Sequence, residues 1–191
     1  MLSSLLPVVL LISGILLGSV VRLPVAETMA SILLYFLLFL VGISLGSERV
    51  KANWRDLEIP MITAAGTLVA AAISSLITGL PLKASLSIAA GFGWYTLAGP
   101  LVTSLLGAEV GAIAFLSNLL REAISLALHR TIASKLGCNA LIACGGAASM
   151  DIFLPFIADA CGSESSMRSF VSGFVLTLAT PLLISFFATY L

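Results

Sequence analysis

Three charged residues, Arg121, Glu122 and Asp151, stand inside apolar sequence where no aqueous loop can hold them. A charge at the centre of a membrane-spanning helix costs about 2.5–3.5 kcal/mol on insertion scales, so one that is kept is by default a functional candidate. In SNLLREAISLALH, Asn118, Arg121, Glu122, Ser125 and His129 fall at i, i+3, i+4, i+7 and i+11, forming one polar stripe on an otherwise apolar helix. The stripe must face the protein interior. It reads either as a clamp, with Arg121 on a carboxylate and Asn118 on a backbone carbonyl of a neighbouring segment, or as a binding surface, and the two roles are compatible. Asp151 follows Gly145 and Gly146 in CGGAASMDIFLP, where a helix must break. A carboxylate beside exposed backbone dipoles can receive an ammonium group or a proton. The simpler alternative is that Ser149 or Asp151 caps the helix that follows. Trp94 and Tyr95 come directly after Gly93 in GFGWYTLAGP. On a spanning helix they would be interfacial anchors, whereas at a glycine break they wall a cavity, and an aromatic face can hold a cation.

The chain around these residues is a membrane protein. Of 191 residues 60% are apolar and 9% charged, against about 25% charged in soluble domains, and the mean hydropathy is +1.17. Residues 2–21, 28–47, 59–82, 84–108 and 169–191 are free of charge, and each reaches the roughly 20 residues that cross a bilayer core. Soluble enzymes and DNA-binding modules are thereby excluded. Nine basic and nine acidic residues cancel, and no charged tail advertises a partner. The runs are continuous and rich in Leu, Ala and Ile, which indicates helices and not a barrel. The first run lacks a basic leader and a cleavage-site pattern, so it reads as a retained helix. Cys138, Cys144 and Cys161 show no CxxC and no metal-ligand spacing, and read as packing thiols. GFG and GG are not phosphate loops, since no strand precedes them. A proteolytic triad of Ser149, His129 and Asp151 is rejected because His129 lies at a helix end beside Arg130. No cofactor, metal or nucleic acid is expected.

The spacing predicts helices at about 2–21, 28–46, 59–79, 110–128 and 169–190 within one transmembrane domain, 1–191. The segment GSERVKANWRDLEIP, at 46–60, holds six of the 18 charges and must be an aqueous loop. Two further stretches, about 84–106 and 138–161, are broken in the middle by glycine, proline and polar residues. Gly91 precedes Pro100 by nine residues, and Gly146 precedes Pro155 by nine, a weak internal repeat. If both stretches crossed, the Lys/Arg outside the membrane would divide four and four between its faces. If both dip in and return, Arg49, Lys51, Arg55, Arg130, Lys135 and Arg168 share one face while Arg22 and Lys83 take the other. Six against two satisfies the positive-inside rule with a cytoplasmic N-terminus and an outer C-terminus. The fold class expected is therefore all-α and polytopic, with about five transmembrane helices and two oppositely entering re-entrant hairpins, as in transporters whose site lies near the midplane. Kinked spanning helices are the alternative for the two stretches.

The segments FLLFLVGISL (36–45), GFGWYTLAGP (91–100), LLREAISLALHR (119–130) and GGAASMDIFLPFI (145–157) together resemble the LysO-type lysine exporters. The resemblance implies an inner-membrane exporter of L-lysine and its antimetabolite thialysine, driven by proton exchange and not an enzyme. The family's embedded acid in the Ser-Met-Asp motif falls on Asp151. Single-chain members carry about three more helices before the matched part, with another acidic residue. Eight helices with both termini outside would result. A small membrane subunit or a second copy of this chain is the expected source of those helices, so the partners implied are lysine, protons, the bilayer and such a subunit. On the residues alone, Asp151, Glu122, Arg121, Asn118, Ser149, Trp94 and Tyr95 form the candidate substrate and proton site. An ion channel or cation/proton antiporter would use the same acid without an amino-acid site, and a purely structural subunit would need it only for assembly.

Overall fold

A computed structural model describes residues 54–191 and the isolated positions 13, 17, 29, 32, 33, 36 and 39. The helices expected at about 2–21 and 28–46 lie outside the described residues except at those positions. After a 3₁₀ turn at Trp54–Leu57, helix α1 (Glu58–Thr78) runs 21 residues, or about 31 Å at the helical rise. It stops where Gly79 takes a left-handed φ of 74° and its N–H bonds back to the Ser75 carbonyl at 3.0 Å. Short helices α2 (Leu82–Ala89) and α3 (Tyr95–Leu106) follow, separated by an irregular turn. Helix α4 (Ala108–Ala127) is long and unbroken. Then come α5 (His129–Leu136), α6 (Cys138–Gly145), a 3₁₀ segment (Gly146–Met150), α7 (Leu154–Cys161) and the 28-residue α8 (Ser163–Tyr190). Among the described residues, α1, α4 and α8 are long and apolar enough to cross a membrane.

The two interrupted stretches turn back on themselves. At one end of the bundle, Ile59 at the start of α1 packs with Leu141, Ile142, Phe153 and Ile157. Asp56 pairs with Arg168 near the start of α8 at 3.8 Å, and Arg130, just past the end of α4, pairs with Asp159 of α7 at 3.0 Å. Cys138 and Cys161, at the two outer ends of the α6–α7 unit, lie here as well, with Cα atoms 5.8 Å apart. Since α1 and α4 are each about 30 Å long, the end of α1 and the start of α4 must lie at the opposite end. Leu82 and Leu106 adjoin them in sequence, so α2 and α3 form a hairpin that opens there. Leu80, Leu106, Val110, Leu183 and Phe187 accordingly border one apolar cluster. Each eight-residue leg is about 12 Å long, so the tips meet inside the bundle.

Small residues bring α3 against α4. A Cβ on Gly111 would collide with the Thr103 hydroxyl, and one on Gly99 would come within 3.0 Å of Phe115.

Three expectations are corrected. The final helix begins at Ser163 and not near 169, because its polar first turns are good helix sequence: Glu164 sits at the positive end of the helix and Arg168 reaches back to it at 3.6 Å. Residues 129–136, left between the helix expected at about 110–128 and the broken stretch at about 138–161, are helical. Cys138 and Cys161 are a disulfide and not packing thiols, and Cys144 is the free cysteine. Their 23-residue separation carried no pairing signal, because only the return of the hairpin makes them neighbours. Alkylation with a maleimide under denaturing conditions checks this. Oxidised protein should take one adduct, at Cys144, and reduced protein three; three adducts without reductant would contradict the bridge.

Candidate functional site

The tips of the two hairpins touch through their backbones. Between α2 and α3 the chain turns at Phe92, whose φ of 45° is unusual for a residue with a side chain, and Gly93, whose φ is 93°. Between α6 and α7 it turns at Gly146, with a φ of 59°. The Ala147 N–H donates to the Phe92 carbonyl at 2.9 Å. A Cβ on Gly146 would run into that carbonyl, so glycine is required by both the conformation and the closeness of the two tips. Phe92 itself is fully buried and anchors the turn in the core.

Irregular backbone at this depth needs partners for its N–H and C=O groups. Helix α4 supplies them from the polar stripe. Asn118, midway along it, accepts the Gly93 N–H at 2.7 Å and donates to the carbonyl of Ile88, the end of α2, at 2.9 Å. One turn on, Arg121 donates through Nη2 to Ala143 at 3.0 Å and through Nε to Cys144 at 3.4 Å, the last carbonyls of α6. A guanidinium at the negative end of a short helix also answers its dipole. Ser125 Oγ lies 3.5 Å from the Cys144 carbonyl. The stripe is therefore a clamp on both hairpins, with Arg121 on carbonyls where the sequence reading had a carboxylate. Ser149 is fully buried; its hydroxyl donates to the Gly146 carbonyl at 2.7 Å and reaches Ser169 on α8 at 3.0 Å, while the Ser169 hydroxyl donates back to the Ser149 carbonyl. It ties the tip to α8, and no side chain caps α7. Ser169 was not singled out from sequence, since a serine near a helix start carries no distinctive signal.

The carboxylates occupy the same region. Glu122, next to Arg121, is only 8% exposed, and it has no hydrogen bond or ion pair with another described residue. Asp151 follows the 3₁₀ segment, is exposed, and accepts the Ile152 N–H at 2.6 Å. Tyr95 at the start of α3 stands within electrostatic reach of both, and the two carboxylates within reach of each other. The Tyr95 ring packs edge-on against Phe115 at 5.4 Å, and Trp94 packs against the core beneath the first tip. His129 stays at the bundle end, against Phe156 and the Leu126 carbonyl. Thus Asn118, Arg121 and Ser149 hold the tips, while Glu122, Asp151 and Tyr95 converge beside them.

Long apolar helices enclosing two opposed hairpins, with charged groups at their meeting point, define a multi-pass membrane protein. The chain belongs to the lysine exporter LysO family, which it matches over residues 8–188. It is 36% identical over 160 residues to the lysine exporter LysO of Escherichia coli K12, covering 81% of this chain and 53% of that protein. To a putative lysine exporter of Haemophilus influenzae it is 32% identical over 159 residues, 81% of each chain. The chain thus spans about half the length of the Escherichia coli relative. No solved structure matches it.

The clamp has a measurable energetic consequence. Asn118→Leu strands the Gly93 N–H and the Ile88 carbonyl in the interior, at about 1–3 kcal/mol each. Denaturant titration in detergent should show a loss of about 2–6 kcal/mol, while Ser134→Ala on the exposed face of α5 stays within about 0.5 kcal/mol. Equal stability of the two variants would contradict the clamp.

Proposed function

We propose that this chain exports L-lysine, and thialysine by the same route, across the inner membrane in exchange for protons. What carries the reading is the pair of carboxylates, exposed Asp151 and buried Glu122, beside the point where two opposed hairpins meet; two neighbouring acids favour a cation. Asp151 takes an ammonium group of the substrate. Asn118, Arg121 and Ser149 act by shaping the tips, because their polar atoms already serve backbone partners. The substrate carboxylate is then left to the positive start of α3 at Tyr95, with Tyr95 and Trp94 as aromatic walls for the cation. The names of the relatives, lysine exporter and putative lysine exporter, support lysine as the substrate.

The membrane architecture we infer has five crossings and two re-entrant hairpins. Legs of 8 to 12 residues, about 12–18 Å, fit a hairpin that reaches mid-bilayer and returns. The end bearing Arg55, Arg130, Lys135 and Arg168 is assigned to the cytoplasm and the end bearing Lys83 to the outside, which puts the N-terminus inside and the C-terminus outside. The Cys138–Cys161 bridge lies at the basic end, and a persistent disulfide ordinarily marks an oxidising compartment. Orientation follows the basic residues, which are read during insertion, before any bridge can form.

Two experiments test this reading. Asp151→Asn should insert and fold like the parent yet leave cells that depend on it sensitive to thialysine, and the purified variant should not bind lysine by calorimetry. Resistance equal to the parent would sink the assignment, and absence of saturable lysine binding by the parent would favour a cation/proton antiporter. In cells, an impermeant thiol reagent should label Lys83→Cys from outside and leave Arg130→Cys unlabelled; labelling of both from one side would refute the re-entrant arrangement.

A further inference from the structure

We propose that the Cys138–Cys161 bridge is a regulatory site of thiol–disulfide exchange that locks helix α7 and so governs transport; this rests on the export reading and on the orientation assigned above. The bridge joins two legs of one hairpin that are held very unequally. Helix α6 is gripped along its length: Leu141 and Ile142 are fully buried, and Arg121 holds its last carbonyls. Helix α7 buries only Ile157. Its Phe156 is exposed and rests edge-on against His129, and its Asp159 meets Arg130 in a pair whose side chains are 58% and 77% exposed, an arrangement that contributes little stability. Beyond Cys161 the chain enters α8 through Gly162, whose φ of 81° suits glycine and beside which a Cβ would meet nothing within 4 Å. Such a joint can absorb a change in backbone angle. The disulfide is therefore the covalent tie between the loosely held leg and the firmly held one.

Position and compartment make that tie switchable. Both cysteines are partly exposed, within reach of a small thiol. They lie at the end of the bundle that carries Arg130 and Arg168, the end assigned to the cytoplasm, where thiols are kept reduced and a disulfide is ordinarily transient and redox-sensing. The co-reactant is a low-molecular-weight thiol. Its thiolate attacks one sulfur of the bridge, the Cys–Cys bond breaks as a mixed disulfide forms, and the other cysteine leaves as a thiolate that takes up a proton. A second thiol attacks the mixed disulfide and frees the first cysteine, so the bridge gains two electrons and two protons while two thiols become one disulfide. The corresponding small disulfide restores the bridge by the reverse steps. Cys144, at the tip end of α6, takes no part. Helix α7 runs from the tip that carries Asp151 to this end of the bundle. Displacing its Cys161 end widens the route from the cytoplasm to the carboxylate, so the reduced chain is the active one and the oxidised chain is held closed.

Amide hydrogen exchange and lysine flux, each measured on the full chain with and without dithiothreitol, test the lock. Reduction should speed exchange in residues 154–161 about tenfold or more while α1 and α4 keep their rates. Cys138→Ser/Cys161→Ser should show the fast pattern in either condition, and Cys144→Ser should respond like the parent. Unchanged exchange in α7, or equal acceleration throughout the chain as from a staple that only stabilises the fold, would overturn the proposal. In proteoliposomes loaded with labelled lysine, dithiothreitol should raise efflux severalfold in the parent and leave the double variant unchanged. Efflux from the parent that is indifferent to reduction, or slowed by it, would equally overturn the proposal. If the double variant does not fold, the reduced parent carries both tests. Absence of lysine efflux from the parent in either state would instead overturn the export reading, while amide exchange still decides whether the bridge locks α7.

Discussion

The structure depends on the side-chain partners given to broken backbone in the interior. A helix that stops halfway through an apolar bundle leaves carbonyl and N–H groups that neither lipid nor apolar side chains can satisfy. Asn118 and Arg121, one turn apart on α4, meet that need for both hairpins, one with an amide that both donates and accepts, the other with a guanidinium on two carbonyls. The rest of the arrangement follows from those contacts. Gly146 and the left-handed turn at Phe92 let the tips approach until Ala147 bonds Phe92, and Ser149 and Ser169 fasten the second tip to α8. Removing the polar stripe would leave each hairpin as a pair of short helices, too short to be stable alone.

The same clamp explains how two acids coexist in such a place. Arg121 supplies a fixed positive charge nearby but spends its hydrogen bonds on the backbone, so it does not form an ion pair that would occupy either carboxylate. Glu122 on the rigid helix and Asp151 on the tip are then free to differ in burial and in partners. Glu122 thus sits on an unbroken helix and Asp151 directly after the 3₁₀ segment of a hairpin tip.

Much of this was legible in the sequence because breaking and charging an apolar run are both costly, and costly features stand out. The interruption at Gly91 and Gly93, the one at Gly145 and Gly146, and the 118–129 stripe all marked elements that the structure brings together. Other features were hidden for physical reasons. Cys138 and Cys161 gave no sign of pairing because their proximity depends on the chain returning to one end. Arg121 looked like a partner for a carboxylate because a stripe shows which residues share a face but not what faces them. The start of α8 was placed late because a charge-free window ends at Arg168, whereas a helix continues through polar turns that stand clear of the lipid. Ser149 read as a site residue or, alternatively, as a cap, and only the packing of α8 against the tip reveals its tie to Ser169.

The central claim is that the carboxylate at the second tip holds the substrate ammonium. Reaction with a water-soluble isoxazolium reagent that esterifies ionised carboxylates, mapped by peptide mass spectrometry with and without lysine, reads it directly. The account predicts an adduct on Asp151 that forms readily in free protein and is suppressed by saturating lysine but not by equal ionic strength. An adduct formed at the same rate in either condition would contradict it.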